Sequence, residues 1–277
     1  SVYDALIHSY NIPAVKVGMD VGLESVATTL QRLGIDEEFP LYPSMLLGAV
    51  SVSPLEIAQM YQTLANGGRL KPLTTLRKVS NIDDHVLTSY QSRGEQMINA
   101  KADFLVLDML RGVAEGGTAR ALSYLVPEVD LAGKTGTTNE YRDSWFAGFG
   151  GNYLAVVWVG KDDNTPTGLT GSSGAMRVWA RVMSALDLHS LELQPPEGVV
   201  ELAVDLNWGG PVVAGCTQDS AQRYFIGGYE PLSNQHCQPL DDKLGTWLQR
   251  WFGKSADRSP EQRKASPGID EDIYGNR

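Results

Sequence analysis

The residues from Leu131 to Gly160 constrain the fold more than any other part of this chain. They read as three strands in quick succession, at about 131–137, 144–150 and 153–160, with only short turns between them. Turns that short join antiparallel neighbours, because a parallel crossover needs a dozen residues or more. The segment is therefore an antiparallel meander. Its third piece, YLAVVWV over Tyr153 to Val159, is continuously apolar and reads as a strand buried on both faces. Ser173 to Leu186 is a helix that can pack on it.

The first strand carries chemistry. Within LAGKTGTTNEYRDSWFAGFG it places Lys134, Thr135, Gly136 and Thr137 in a row. An ammonium and two hydroxyls suit an anionic ligand, and the glycine lets that ligand lie close to the backbone. Gly133-Lys134-Thr135 also reads as the end of a phosphate-binding loop. That loop needs a glycine five positions before Gly133, where Glu128 stands, so a nucleotide site is set aside. A Lys-Thr-Gly triplet is expected by chance roughly once in twenty chains of this composition, and the added Thr137 makes it rarer still.

The rest of the chain supports a full core. With 277 residues, 42% hydrophobic and 20% charged, it has ordinary globular composition. A net charge of −10 without a Lys/Arg cluster argues against nucleic acid as a partner. Val2 to Ser9 is helical and runs into Ser9-Tyr10-Asn11-Ile12-Pro13, where the proline biases Ile12 away from helix and puts the triplet on a turn. A second helix spans about Leu23 to Leu33 and stops at Gly34. Ser53 and Glu56 form a capping-box pattern, with Pro54 at the first helical position and Ile57, Met60, Tyr61 and Leu64 at core spacing. Short strands are expected from Arg69 to Ser92, around a turn at Asn81 to Asp84. Another helix runs from Ala102 to Glu115 and ends at Gly116-Gly117-Thr118-Ala119.

Three segments follow: a main domain over 1–194, a small β-rich appendage over 195–253 beginning at Pro195-Pro196, and a disordered tail over 254–277 with almost nothing to bury. Cys216 and Cys237 are the only cysteines and lack C-x-x-C spacing, so neither zinc nor a redox motif is supported. One disulfide or two free thiols remain open. The opening SVYDALIHSYN reads as the middle of a helix, so the sequence is expected to be cut from a longer protein.

A Ser-x-Asn followed far downstream by Lys-Thr-Gly is two thirds of the signature of penicillin-binding proteins and serine β-lactamases. Ser9-Tyr10-Asn11 is the only S-x-N here, and it precedes Lys134-Thr135-Gly136 in that order. SYNIPAVKVG, GAVSVSPLEIAQMYQTLANGG, EGGTA and GKTGTTNEYRDSWFAGF resemble the transpeptidase domain of class A, bifunctional penicillin-binding proteins of the Gram-negative "one-b" type over roughly residues 1 to 190. The resemblance implies an α+β fold of three layers, α/β/α. Its antiparallel sheet and helical subdomain are only partly present here, with the β-rich appendage added.

The implied activity is a peptidoglycan D,D-transpeptidase, in a parent that is also a glycosyltransferase. Its partners are D-Ala-D-Ala stem peptides and β-lactams, with no cofactor and no metal. It works at the periplasmic face of the bacterial inner membrane, held there by an N-terminal anchor outside this sequence. In that compartment a Cys216–Cys237 disulfide is favoured. The implied catalytic residues are Ser9, Lys134 and Thr137. Ser9 relays a proton, Lys134 holds positive potential over the substrate carboxylate, and the Thr137 N–H donates to the oxyanion. Asn11, Thr135 and Gly136 bind substrate or β-lactam. Asp143 and Trp145 match the family pattern but read as structural, and His8 is given no role.

One third of the signature is absent. Three residues before the nine lysines stand Pro13, Gly68, Thr75, Ile98, Leu131, Trp158, Leu240, Trp251 and Glu261, none of them serine. The nucleophile and base of Ser-x-x-Lys are thus expected upstream of Ser1. This piece would be inactive alone and would need the upstream half of its own domain, or a second chain, to cover an open sheet edge. A β-lactamase, which would hydrolyse without a lasting adduct, and a non-catalytic assembly module are the alternatives.

Overall fold

The computed structural model describes residues 1–38, 40–90, 93–213 and 219–232. Both cysteines and the tail over 254–277 lie outside the described residues. Helices Val2–Ile7 (α1), Asn11–Val21 (α2) and Leu23–Arg32 (α3) come first, then a 3-10 turn at Pro43–Leu47 and helix Pro54–Ala65 (α4). Short strands Arg69–Leu70 (β1), Lys78–Ser80 (β2), Val86–Ser89 (β3) and Glu95–Gln96 (β4) follow, β1 pairing antiparallel with β4 and β2 with β3. Ala100–Glu115 (α5) and Leu122–Leu125 (α6) lead into Ala132–Thr137 (β5), Ser144–Phe149 (β6) and Leu154–Val159 (β7). Ala175–Met183 (α7), Val199–Asp205 (β8) and Ser220–Ile226 (β9) complete the order, with β8 and β9 paired as a two-stranded sheet.

The expected meander is present, antiparallel in the order β5-β6-β7. Strand alternation sends Phe146 to one face and Ala147 to the other. On the first face Phe146 packs with Trp179, Met176 and Met183 of α7 and with Val113 of α5. On the second, Ala132, Ala147 and Phe149 pack with Tyr61 and Leu64 of α4 and Leu107 and Leu110 of α5. The sheet thus lies between helices on both faces, which is the α/β/α layering. Trp179 is fully buried, edge-on to Phe146, and its indole N–H is satisfied by the carbonyls of Ala155 (3.1 Å) and Gly148 (3.3 Å).

Local signals in the sequence hold where nothing competes with them. Ser53 Oγ accepts from the Glu56 N–H at 3.2 Å and Glu56 Oε2 accepts from the Ser53 N–H at 2.7 Å, closing the capping box.

Two expectations are corrected. Ile12 is helical despite the following proline, because Pro13 falls in the first turn of α2, where its missing N–H has no intrahelical partner to lose. Asn11 therefore opens a helix instead of lying in a turn. The residues of β7 are half-buried, and Trp158 is exposed, because β7 is the edge of the described sheet. Helix α1 runs from Val2, with Ser1 Oγ accepting from the Asp4 N–H at 3.1 Å.

The chain separates into two compact units. The first is Ser1–Glu201 with Tyr224–Glu230, and holds every element from α1 to α7. Of the second, residues 202–213, 219–223, 231 and 232 are described.

Candidate active site

Ser9 sits where α1 ends. The Tyr10 N–H bonds the Ala5 carbonyl at 2.8 Å and the Ser9 N–H bonds the Leu6 carbonyl at 3.2 Å. This pair of bonds is a Schellman motif, with Ser9 at the left-handed position (φ 59°) that glycine usually fills. A serine there carries backbone strain, and its side chain is thrown out toward the sheet. Ser9→Ala and Ser9→Gly both delete the hydroxyl, but only glycine is relaxed at this φ. We expect Ser9→Gly to be about 1 kcal/mol more stable than Ser9→Ala. Urea unfolding of the two variants side by side checks it, and equal stabilities would deny the strain.

Lys134 on β5 reaches that hydroxyl across 125 residues of sequence: its Nζ donates to Ser9 Oγ at 2.8 Å and to the Thr135 carbonyl at 3.1 Å. Burial lowers the Lys134 ammonium to a pKa of about 8. Among the described residues no carboxylate pairs with it, so its positive charge is uncompensated.

Thr135 and Thr137 point to the opposite face of β5. Thr135 Oγ1 lies 2.7 Å from Thr118 Oγ1, in the turn after α5, and Thr137 Oγ1 accepts from the Gly171 N–H at 2.8 Å. Past the strand end the Thr138 N–H bonds the Asp143 carbonyl at 3.1 Å, which fixes the hydrogen-bonding phase. By the antiparallel alternation, the backbone N–H groups of Thr135 and Thr137 then point away from β6, across the open edge of the described sheet. At Gly136 a Cβ would stand 3.0 Å from Trp145 Cβ, so a side chain there would crowd the neighbouring strand.

A cavity of about 950 Å³ gathers these groups: Ser9, Asn11, Lys134, Thr135, Gly136 and Thr137 all line it. Every residue chosen from the sequence is thus at one place. Asn11 is the first residue of α2 and is exposed to the cavity. Asp143 holds its hairpin together, accepting from Trp158 Nε1 at 2.9 Å and from Thr138 Oγ1 at 3.1 Å. Trp145 pairs across the strands with Trp158, ring centroids 6.1 Å apart. His8 makes a ring contact with Tyr10 and lies outside the lysine–serine pair.

Sequence reasoning missed two supports. One is Thr118, whose only signal was the Gly-Gly-Thr-Ala that ends α5. The other is the loop before α7. Ser144 on β6, fully buried, donates to the Thr170 carbonyl at 2.7 Å and accepts from the Ala175 N–H at 2.8 Å, while Gly171 reaches Thr137. Neither spacing nor composition marks that loop.

Comparison with known proteins agrees with this geometry. Residues 1–183 match the family described as penicillin binding protein transpeptidase domain. Penicillin-binding protein 1B of Escherichia coli K12 is 43% identical over 91% of this chain and 33% of its own length. Penicillin-binding protein 1B of Vibrio cholerae is 37% identical over 91% of this chain and 32% of its own. The chain therefore spans about a third of the length of these relatives. The crystal structure of penicillin-binding protein 1A from Haemophilus influenzae superposes with a TM-score of 0.77 at 26% identity, over 84% of this chain and 40% of that one. With its lysine–serine pair beside the open β5 edge and these matches along most of its length, the chain belongs to the penicillin-binding protein transpeptidase family, in its class A branch.

Proposed function

We propose that this chain forms the carboxylate-holding and oxyanion wall of a serine acyl-transfer site, and that the protein it belongs to is a peptidoglycan D,D-transpeptidase. The observation that carries the reading is the 2.8 Å bond from Lys134 Nζ to Ser9 Oγ at the open edge of β5. A serine from outside this chain attacks the D-Ala-D-Ala amide. The negative charge that develops on the carbonyl oxygen meets the Thr137 N–H, already aimed across the edge. Lys134 and the hydroxyls of Thr135 and Thr137 hold the terminal carboxylate, and Asn11 takes the peptide carbonyl. Ser9 accepts a hydrogen bond from Lys134, which leaves its own proton free to pass to the departing D-Ala amine. The base outside this chain that takes the attacking serine's proton replaces it on Ser9, while Lys134 keeps its charge over the carboxylate. An amine from a second stem peptide then resolves the acyl-enzyme, and β-lactams, which mimic the dipeptide, stop at it.

The same reading supplies the partner. The free edge of β7 and the exposed apolar residues of α2 (Ile12, Val17, Met19 and Val21) are surfaces that the upstream half of the same domain, or a second chain, would cover. Among the described residues no helix is long and apolar enough to cross a membrane, so an anchor holding the site at the periplasmic face would come from elsewhere in the protein. The test is a fluorescent penicillin followed by a denaturing gel. We expect no labelled band from this chain alone, a stable band from the protein extended upstream, and loss of that band in the extended Lys134→Met variant. A stable band on the chain alone, or an extended protein that never labels, would overturn the reading.

A further inference from the structure

We propose that Thr118 is a positioning residue for this site: its hydroxyl donates to Thr135 Oγ1 and so turns the Thr135 proton outward, toward the ligand carboxylate. The inference rests on the reading that β5 holds a carboxylate.

A hydroxyl has one proton to give and lone pairs to fill. The 2.7 Å separation of Thr118 Oγ1 and Thr135 Oγ1 is a full O–H···O bond in which either oxygen can be the donor. Thr118 has no other side-chain hydrogen bond among the described residues, and neither has Thr135, so the direction is set by what arrives in the cavity. An anion accepts only. It claims the Thr135 proton, and Thr118 must then donate, giving a chain of two bonds, Thr118 to Thr135 to carboxylate, in which each polarises the next.

The neighbouring threonine shows the same arrangement with the ambiguity removed. Thr137 Oγ1 accepts from the Gly171 backbone N–H, a group that can only donate, which leaves the Thr137 proton for a ligand. Two hydroxyls on one face of β5 are thus backed by donors from behind. Thr118 is also held rigidly enough to act this way. Its own N–H bonds the Ile7 carbonyl at 3.0 Å, and the next N–H, of Ala119, bonds the Val113 carbonyl at 3.1 Å. Thr118 touches no substrate in this scheme; it acts through Thr135.

The test uses this chain, which holds no Ser-x-x-Lys and on the reading above is not acylated by benzylpenicillin. Dissociation constants are measured by NMR titration for benzylpenicillin and for its carboxyl methyl ester. We expect Thr118→Val to weaken binding of the free carboxylate roughly fivefold, as for one lost hydrogen bond, while leaving the ester unchanged, and Thr118→Ser to restore it. Thr118→Ala repeats the experiment should the valine variant fail to fold, as judged by circular dichroism. Unchanged carboxylate binding in folded Thr118→Val or Thr118→Ala overturns the proposal, and so does equal weakening of acid and ester, which would mark a packing role. If the wild-type chain does not prefer the acid to the ester, the carboxylate-holding reading of β5 itself falls and takes the proposal with it.

Discussion

Between pH 7.5 and 9.5 this chain is expected to become more stable, and Lys134→Met is expected to remove that rise. In the unfolded chain a lysine keeps its proton to about pH 10.4, whereas folded Lys134 loses it near pH 8. Over that window the unfolded state binds more protons than the folded one, so stability increases with pH. Asp103 adds the opposite limb. It is 1% exposed, neither carboxylate oxygen has a hydrogen-bond partner among the described residues, and burial raises its pKa to about 7. A carboxyl whose folded pKa is raised holds its proton while the unfolded chain releases it, so stability falls as pH climbs from about 4 to 7. The two groups together put a trough between pH 7 and 8. Above pH 10 buried Tyr61, whose pKa is raised by desolvation, turns the curve down again. Urea unfolding in steps from pH 4 to 9.5 checks this. Asp103→Asn should flatten the lower limb and Lys134→Met the upper one. Near neutrality Lys134→Met should gain stability, because a half-buried cation is replaced by an apolar chain of similar length. It should also cost at least tenfold in affinity for a carboxylate ligand, since a charge-assisted bond is lost. A Lys134→Met curve that kept the upper limb would assign the titration to another group.

Which strand carries the site was legible in the sequence, because the meander is local: three apolar pieces with short turns, and a triplet rare enough to stand out. The capping box at Ser53 and Glu56 was legible for the same reason. The pairing of Ser9 with Lys134 was not derivable from spacing, since the two are 125 residues apart. It came through the resemblance of two triplets to one family. Burial of Lys134 and of Asp103, which sets their titration, depends on which face of β5 and α5 is covered, and charge counts say nothing of that. Thr118 stood in plain view in Gly-Gly-Thr-Ala, yet its contact with Thr135 requires that the turn after α5 fold back onto β5. Helix α2 was lost to a rule about the residue before proline. That rule is overridden when the proline falls in a first turn.

The two glycines before Thr118 should respond oppositely to the same substitution. At Gly116 a Cβ would meet nothing within 4 Å, and the backbone (φ −135°, ψ −5°) lies on the negative-φ side that L residues use. Gly116→Ala should therefore be neutral or stabilise by about 0.5 kcal/mol, through lower entropy of the unfolded chain. At Gly117 a Cβ would stand 2.2 Å from the Ile7 carbonyl oxygen and 2.9 Å from Val113 Cα, both backbone atoms that cannot rotate away. Gly117→Ala must separate the turn after α5 from the end of α1, and overpacking of that kind costs about 1–3 kcal/mol or more. The Ile7 carbonyl it displaces is the one that accepts from the Thr118 N–H, and Ile7 stands two residues before Ser9. One methyl group thus pushes on both supports of the site, the hydroxyl behind Thr135 and the hydroxyl that holds Lys134. We expect Gly117→Ala to lose carboxylate binding as well as stability, with Gly116→Ala unchanged in binding. Urea unfolding and benzylpenicillin titration of the two variants read both quantities. A Gly117→Ala variant as stable and as competent as Gly116→Ala would mean that the α1–α5 junction is not what sets the spacing of Ser9, Lys134 and Thr118.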